Sequence, residues 1–264
     1  MKFTKLTASG NDFILFDNRT AFFSGNETRF FSRICQRRHA VGADGVILLE
    51  KSADSDFRYR HFNSDGSPAA MCGNGARAAC YYAVSKKIAL PHTVFDIHGV
   101  RHEGWVSGTS VKLKLPPPAP ARMPLGIVSE SYLEEGGFIE VGVPHLVLFV
   151  KNTEKVNVAE AGRRHSGHPC FAHGTNVDFV QMLDAASLRV RTYERGVEDE
   201  TLSCGTGAVA SAVIAHLLKA APPPIAVQTK GGDLSVDWKN LENAIFLTGS
   251  ACIIYEAQLM LRPD

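Results

Sequence analysis

The sequence predicts a mixed α/β protein built from two similar halves, and three observations carry that prediction. The motif Cys72-Gly73-Asn74-Gly75 returns as Cys204-Gly205-Thr206-Gly207, its cysteines 132 positions apart (204 − 72), half of the 264-residue length. Around each copy the pattern repeats. An alternating strand-like run (Phe57–Asn63, then Leu188–Glu194) leads into a polar loop, the cysteine and an Ala-rich stretch that reads as helix. A repeat of this period implies two like units with one cysteine at the same structural place in each. The third observation is Pro116-Pro117-Pro118-Ala119-Pro120, which can continue neither a ladder nor a helix and forms a stiff spacer. Residues 1–115, joined by a C-terminal strand over 252–264, are assigned to the first half, and 116–251 to the second.

Element by element, Lys2–Leu6 and Phe13–Asp17 read as strands around a Ser9-Gly10-Asn11-Asp12 turn. Asn26–Arg38 reads as a helix with Asn26 as its N-cap and Arg37-Arg38-His39 at its positive-tolerant end. Strands follow at Val46–Glu50 and Phe57–Phe62, then a helix over Ala76–Lys87 that ends before Pro91. Thr93–Ile97, Arg101–Val106 and Ser110–Leu115 make a meander. In the second half Phe138–Val141, Leu146–Val150, Val177–Met182 and Leu188–Tyr193 are strands, and the one helix, Gly207–Lys219, stops against Pro222-Pro223-Pro224. Val227–Asp237 and Ile245–Tyr255 complete the chain as strands.

Bulk composition narrows the function. Apolar residues at 45% and charged residues at 21% are ordinary for a globular protein. Lys plus Arg is 28 against 27 Asp plus Glu, so the net charge of +1 offers no footprint for nucleic acid or an anionic membrane. No secretory pattern opens the chain and no apolar run is long enough for a bilayer, so a cytoplasmic location is expected. The six cysteines form no Cys-x-x-Cys pair and no zinc spacing, so no metal is expected. Cys35, Cys80, Cys170 and Cys252 read as packing residues.

Cys72 and Cys204 differ because glycines surround them where a loop enters a helix. Backbone N–H groups there lack intrahelical partners and carry the positive end of the helix dipole, so they can hold a carboxylate. The same field is expected to lower the thiol pKa from roughly 8.5 toward the working pH. Two such sites facing each other would grip one α-carboxylate and set a sulfur on each side of its α-carbon. One sulfur removes a proton and the other delivers one, which inverts a stereocentre without a cofactor. The competing reading is a dinucleotide fingerprint, since Gly73-x-Gly75-x-x-Ala78 and Gly205-x-Gly207-x-x-Ala210 both fit and Asp96 falls at a suitable distance. That fingerprint needs an apolar strand directly ahead of its first glycine. Asp65-Gly66-Ser67-Pro68 and Glu198-Asp199-Glu200-Thr201 stand there instead.

Gly10-Asn11-Asp12-Phe13, Phe62-Asn63-Ser64-Asp65-Gly66-Ser67 and Met71-Cys72-Gly73-Asn74-Gly75-Ala76-Arg77 resemble the N-terminal half of the diaminopimelate epimerase family. Tyr193-Glu194-Arg195-Gly196 and Glu200-Thr201-Leu202-Ser203-Cys204-Gly205-Thr206-Gly207 resemble its C-terminal half. The resemblance implies two pseudo-symmetric domains, each a curled, mostly antiparallel sheet around a central helix, with the active site in the cleft between them. It implies conversion of LL-2,6-diaminopimelate to the meso isomer, in lysine and peptidoglycan biosynthesis, with two cysteines and no pyridoxal phosphate. By position, Cys72 and Cys204 would be the acid/base pair, with His145 and Glu194 tuning the thiols. Backbone at Gly73-Asn74 and Gly205-Thr206 would hold the reacting carboxylate. Asn11, Asn63 and Asn176 would supply amide contacts, Glu194 would accept from a substrate ammonium, and Arg195 would fork onto the distal carboxylate. The implied partner is a small-molecule amino-acid substrate, and the sequence leaves a homodimer open.

Two departures bear on the substrate. Many members have Asn-Pro-His where this chain has Val143-Pro144-His145, and some carry Gln at the position of Gly45. An epimerase of the same fold acting on histidine or hydroxyproline is therefore the nearest alternative. A thiol redox or dinucleotide-dependent enzyme and a non-catalytic amino-acid binding module are more distant ones.

Overall fold

The computed structural model describes residues 1–69, 71–123 and 133–260. The chain forms two compact units, Met1–Lys114 with Gly249–Asp264, and Leu115–Thr248.

In the first unit β1 (Lys2–Ala8) and β2 (Asn11–Asp17) form a hairpin. Its turn places Ser9 and Gly10 at positive φ, the mirror-image turn whose twist suits paired strands. After α1 (Thr28–Cys35), β3 (Gly45–Glu50) lies parallel to β2, and β4 (Phe57–Asn63) antiparallel to β3. The two-residue β5 (Pro68–Ala69) precedes α2 (Gly73–Ser85). β6 (His92–Ile97) then lies parallel to β4, and β7 (Val100–Ser107) and β8 (Ser110–Leu115) continue as a meander.

The second unit repeats this order. β9 (Leu133–Val141) pairs antiparallel with β10 (Val143–Val150), α3 (Val158–Ser166) follows, and β11 (Asn176–Asp184) lies parallel to β10. β12 (Ser187–Glu194) is antiparallel to β11, and the short β13 (Asp199–Thr201) leads to α4 (Gly205–Lys219). β14 (Ile225–Thr229) lies parallel to β12 and turns into β15 (Gly232–Asp237). β16 (Ile245–Ser250) spans the unit boundary, and β17 (Cys252–Gln258) pairs with β1.

Each unit is thus a mostly antiparallel sheet folded about one helix. α2 touches β1, β2, β3, β4, β7 and β17, and α4 touches β9, β10, β11, β12, β14 and β15. Both helices are buried around their circumference, which is why they are rich in alanine rather than amphipathic. α1 covers the other sheet face through Phe30, Phe31 and Ile34 against Ile14, Phe16, Leu48 and Phe62. α3 does the same through Val158 and Ala161 against Leu146, Leu148, Phe179 and Tyr193. Strands covered on both faces read as continuous apolar runs, as Phe13–Phe16 and Leu146–Val150 do.

Four local expectations change. α1 starts at Thr28, not Asn26, with Glu27 as an N-cap that makes no side-chain cap. The Glu27 carboxylate instead accepts from Ser24 N, Ser24 Oγ and Gly25 N in the preceding turn. α3 is a second helix in the second half that was not expected. Asn157 caps it by accepting from Glu160 N, and Glu160 answers by accepting from Asn157 Nδ2. The run from Val227 to Asp237 is a hairpin, turned where Gly232 adopts φ 128°. The closing strand ends at Gln258, and residues 261–264 of the expected 252–264 segment lie outside the described residues.

Candidate active site

Each cysteine is the N-cap of its unit's central helix, with closely similar backbone angles: φ −108°, ψ 115° at Cys72 and φ −120°, ψ 115° at Cys204. Each sulfur accepts from the N–H three residues on, Gly75 or Gly207, at 3.4 Å. Gly73-Asn74 and Gly205-Thr206 form the first turns of their helices, where the backbone N–H groups precede the intrahelical ladder. The second glycine of each motif is a close-approach position. A Cβ at Gly75 would lie 2.4 Å from Tyr59 Oη, and one at Gly207 would lie 2.4 Å from Asp178 Oδ1.

Around Cys72 the helix start is tied to the β1–β2 turn. Asn74 Nδ2 donates to Asn11 Oδ1 at 2.6 Å, and Asn11 Nδ2 donates to Asp44 Oδ2 at 2.9 Å. Arg77 Nη2 donates to Asn74 Oδ1 at 2.5 Å and to Ser9 Oγ at 2.9 Å. The side chains of Asn74 and Arg77 are buried. Asp44 carries a web with Arg37 and Asp12 that holds this turn.

Around Cys204 a buried chain of hydrogen bonds runs from the sheet to the sulfur. Asp178 Oδ2 lies 2.7 Å from His145 Nδ1, His145 Nε2 lies 2.9 Å from Thr206 Oγ1, and Thr206 Oγ1 lies 3.4 Å from Cys204 Sγ. Thr192 Oγ1 donates to the other Asp178 oxygen at 2.7 Å. The carboxylate therefore assigns the proton to Nδ1, leaving Nε2 to accept from the Thr206 hydroxyl. Burial pushes the Glu194 carboxyl above the usual carboxylate range, and Asp178 adds to this, while Thr201 and His145 pull it back.

The thiol at Cys204 corrects the sequence expectation. Its pKa is pushed well up, not down, by burial first and then by Glu194 and Asp178, which outweigh the contacts from Thr206 and Gly207 N–H. A helix start does not lower a thiol pKa where desolvation, and after it a neighbouring carboxylate, outweighs the backbone N–H groups.

The remaining expected residues fall on the same two loop clusters. Asn63 ends β4, is exposed, and donates to Ser67 Oγ at 3.1 Å. Asn176 starts β11, where its Oδ1 accepts from Arg195 N at 2.9 Å and its Nδ2 lies 3.5 Å from His145 Nε2. Arg195 is exposed just beyond β12, with Nη1 donating to His173 O at 2.6 Å. Gly45 leaves no room for a side chain, because a Cβ there would meet His61 Nε2 at 2.5 Å and Phe62 O at 2.6 Å. Val143 starts β10 two residues before His145, the register position that Asn11 holds in β2 two residues before Phe13.

Asp178, Arg77 and Tyr59 escaped the reading of the sequence. The signal available was a lone charge in an otherwise apolar element: Asp178 in Val177-Asp178-Phe179-Val180, and Arg77 in Ala76-Arg77-Ala78-Ala79. Among the described residues no group of three or more His, Cys, Asp or Glu is placed to hold a metal ion, and no helix is long and apolar enough to cross a membrane.

A family model described as diaminopimelate epimerase matches residues 3–98 and 137–254. The chain is 40% identical to a diaminopimelate epimerase of Aquifex aeolicus, with 98% of each chain covered. It is also 40% identical to one of Hydrogenobaculum sp., again over 98% of each. Among solved structures it resembles a phenazine biosynthesis protein of the PhzF family from Bacillus anthracis, with a TM-score of 0.78 and 99% of both chains covered. Identity to that protein is 14%, so the likeness is one of fold.

Proposed function

Because this chain belongs to the diaminopimelate epimerase family, we propose that it converts LL-2,6-diaminopimelate to the meso isomer with Cys72 and Cys204 as the acid/base pair. The chain is an isomerase in its family's terms, and the mechanism follows from its own residues. A thiolate takes the α-proton, so that an S–H bond forms as the C–H bond breaks. The electron pair left on carbon is delocalised into the α-carboxylate. The opposite thiol then gives its proton to the other face, and the pair has exchanged roles with no net change in protons.

The observation that carries this reading is the duplicated helix start. Each cysteine caps a buried helix whose first amides, at Gly73-Asn74 and Gly205-Thr206, can hold the carboxylate where negative charge accumulates. His145 acts on Cys204 through Thr206, with Asp178 fixing its tautomer. Glu194 faces the substrate ammonium, and Asn11, Asn63 and Asn176 shape the two loop clusters. Arg195 takes the distal carboxylate, its backbone held by Asn176.

The test is exchange of the substrate α-proton with solvent deuterium, followed separately from each diaminopimelate isomer. Exchange is expected in the native chain and abolished in Cys72→Ala and Cys204→Ala. Undiminished exchange and turnover in both single variants would defeat the two-thiol reading. The second reading, a same-fold epimerase of another amino acid, draws on Val143, which cannot make the amide contacts that Asn makes at the corresponding place. Turnover of a panel of L-amino acids at rates above that of LL-diaminopimelate would favour it.

A further inference from the structure

We propose that Arg77 is the positioning residue that holds Cys72 as a thiolate, its buried guanidinium serving as the fixed counter-charge of that sulfur. The inference rests on the reading of Cys72 as an acid/base group. Arg77 is wholly buried, and no carboxylate pairs with it among the described residues. Its Nη2 is held by Ser9 Oγ and Asn74 Oδ1, which turns the side chain back along α2 toward the turn that Cys72 caps. Nε and Nη1 have no hydrogen-bond partner among the described residues. A buried cation with two open donors is costly unless an anion stands nearby.

The groups around it identify that anion. Cys72 and Cys80 are the two whose ionised forms favour the charged guanidinium, while burial draws the Arg77 pKa down to about 10. Cys80 is enclosed, and burial pushes its thiol well up despite Arg77. From β4, burial keeps the Tyr59 phenol neutral by raising its pKa, and keeps His61 neutral by lowering its pKa to about 4. Asp44, reached through Asn11, is paired with Arg37. The sulfur of Cys72 remains as the group that can carry the compensating charge.

The other half-site has the opposite sign. The repeat places Val209 where Arg77 stands (77 + 132), and the charged groups acting on Cys204 are Glu194 and Asp178. Turnover requires one thiolate and one thiol. A cation behind Cys72 and carboxylates beside Cys204 set that difference before substrate arrives.

The experiment is iodoacetamide alkylation across pH in the substrate-free chain carrying Cys204→Ser, with Cys72 and the exposed Cys170 resolved by peptide mass spectrometry. In this background the Cys72 midpoint is expected to lie below that of Cys170. Arg77→Gln should raise the Cys72 midpoint by about one pH unit or more, leaving Cys170 unmoved. Arg77→Lys, which keeps the charge but not the fork, should restore most of that shift. A folded Arg77→Gln chain with an unshifted Cys72 midpoint would overturn the proposal. So would a Cys72 midpoint at or above that of Cys170 in the Arg77 parent, a result that needs no Arg77 variant to fold. The readout uses no substrate, so failure of the epimerase reading would show in turnover while leaving this result standing.

Discussion

Asp178 shows how much a single side chain can decide. It sits in the core with both oxygens engaged, one by His145 Nδ1 and one by Thr192 Oγ1. An isosteric Asp178→Asn change keeps the volume but can present an N–H where His145 needs an acceptor, which forces the other tautomer. Nε2 would then donate to Thr206 instead of accepting from it, and the hydroxyl could no longer take up the Cys204 proton. kcat is expected to fall by ~10²–10⁴-fold with KM little changed, the usual range for losing an acid/base relay. A kcat near the native value in steady-state kinetics would show that the chain of hydrogen bonds is only structural. For Arg195 the expected loss is in affinity instead. Arg195→Ala removes a charged hydrogen-bonding partner worth about 1.5–3 kcal/mol, so KM for diaminopimelate should rise by ~10–100-fold. A monocarboxylate amino acid, lacking the distal group, should be bound no worse than before. Equal losses for both substrates would remove Arg195 from the distal site.

At the scale of the element, the second glycine of each motif is where helix and sheet touch. Alanine normally favours a helix over glycine by about 1 kcal/mol, so Gly75→Ala and Gly207→Ala should stabilise α2 and α4 if propensity alone ruled. The contacts oppose this, because the added methyl would lie 2.4 Å from Tyr59 Oη or Asp178 Oδ1, both on buried side chains. Overpacking of this kind costs about 1–3 kcal/mol. Both variants are therefore expected to be less stable in urea unfolding, and Gly167→Ala, whose Cβ would find its nearest neighbour at 3.6 Å, close to neutral. Stabilisation of either motif variant would show that the helix can shift away. These elements were legible to different degrees for physical reasons. The cysteine loops announce themselves, since glycines around a cap have few other uses. α3 did not, because nine residues of Val-Ala-Glu-Ala-Gly-Arg-Arg-His-Ser carry only a narrow apolar stripe, and Gly162 interrupts it. That glycine is there for contact: a Cβ would lie 2.3 Å from Tyr193 Cβ.

Across the whole molecule, the order antiparallel, parallel, antiparallel, parallel recurs from β1 to β6 and again from β9 to β14. The repeat in the sequence made this duplication readable. What lay beyond it is how differently two like backbones are filled. Where the second unit buries His145 and Asp178, the register of the first places Phe13 and Ile47. Among the titratable groups buried in the first sheet is His61, packed edge-on against Phe13, with neither ring nitrogen hydrogen-bonded among the described residues. Burial lowers its pKa from 6.5 to about 4. The unfolded chain therefore takes up the proton first on acidification. The stability tied to the neutral ring is full above pH 6.5, is lost as the pH falls toward 4, and is not lost further below that. At roughly 1.4 kcal/mol per unit of difference, the loss over this window is about 3 kcal/mol. His61→Phe removes the proton site while keeping an aromatic ring beside Phe13. Urea unfolding of the native chain should weaken between pH 7 and pH 4 by about that much more than the unfolding of His61→Phe. Parallel curves for the two chains would mean that the buried ring is protonated as readily in the folded state as in the unfolded one.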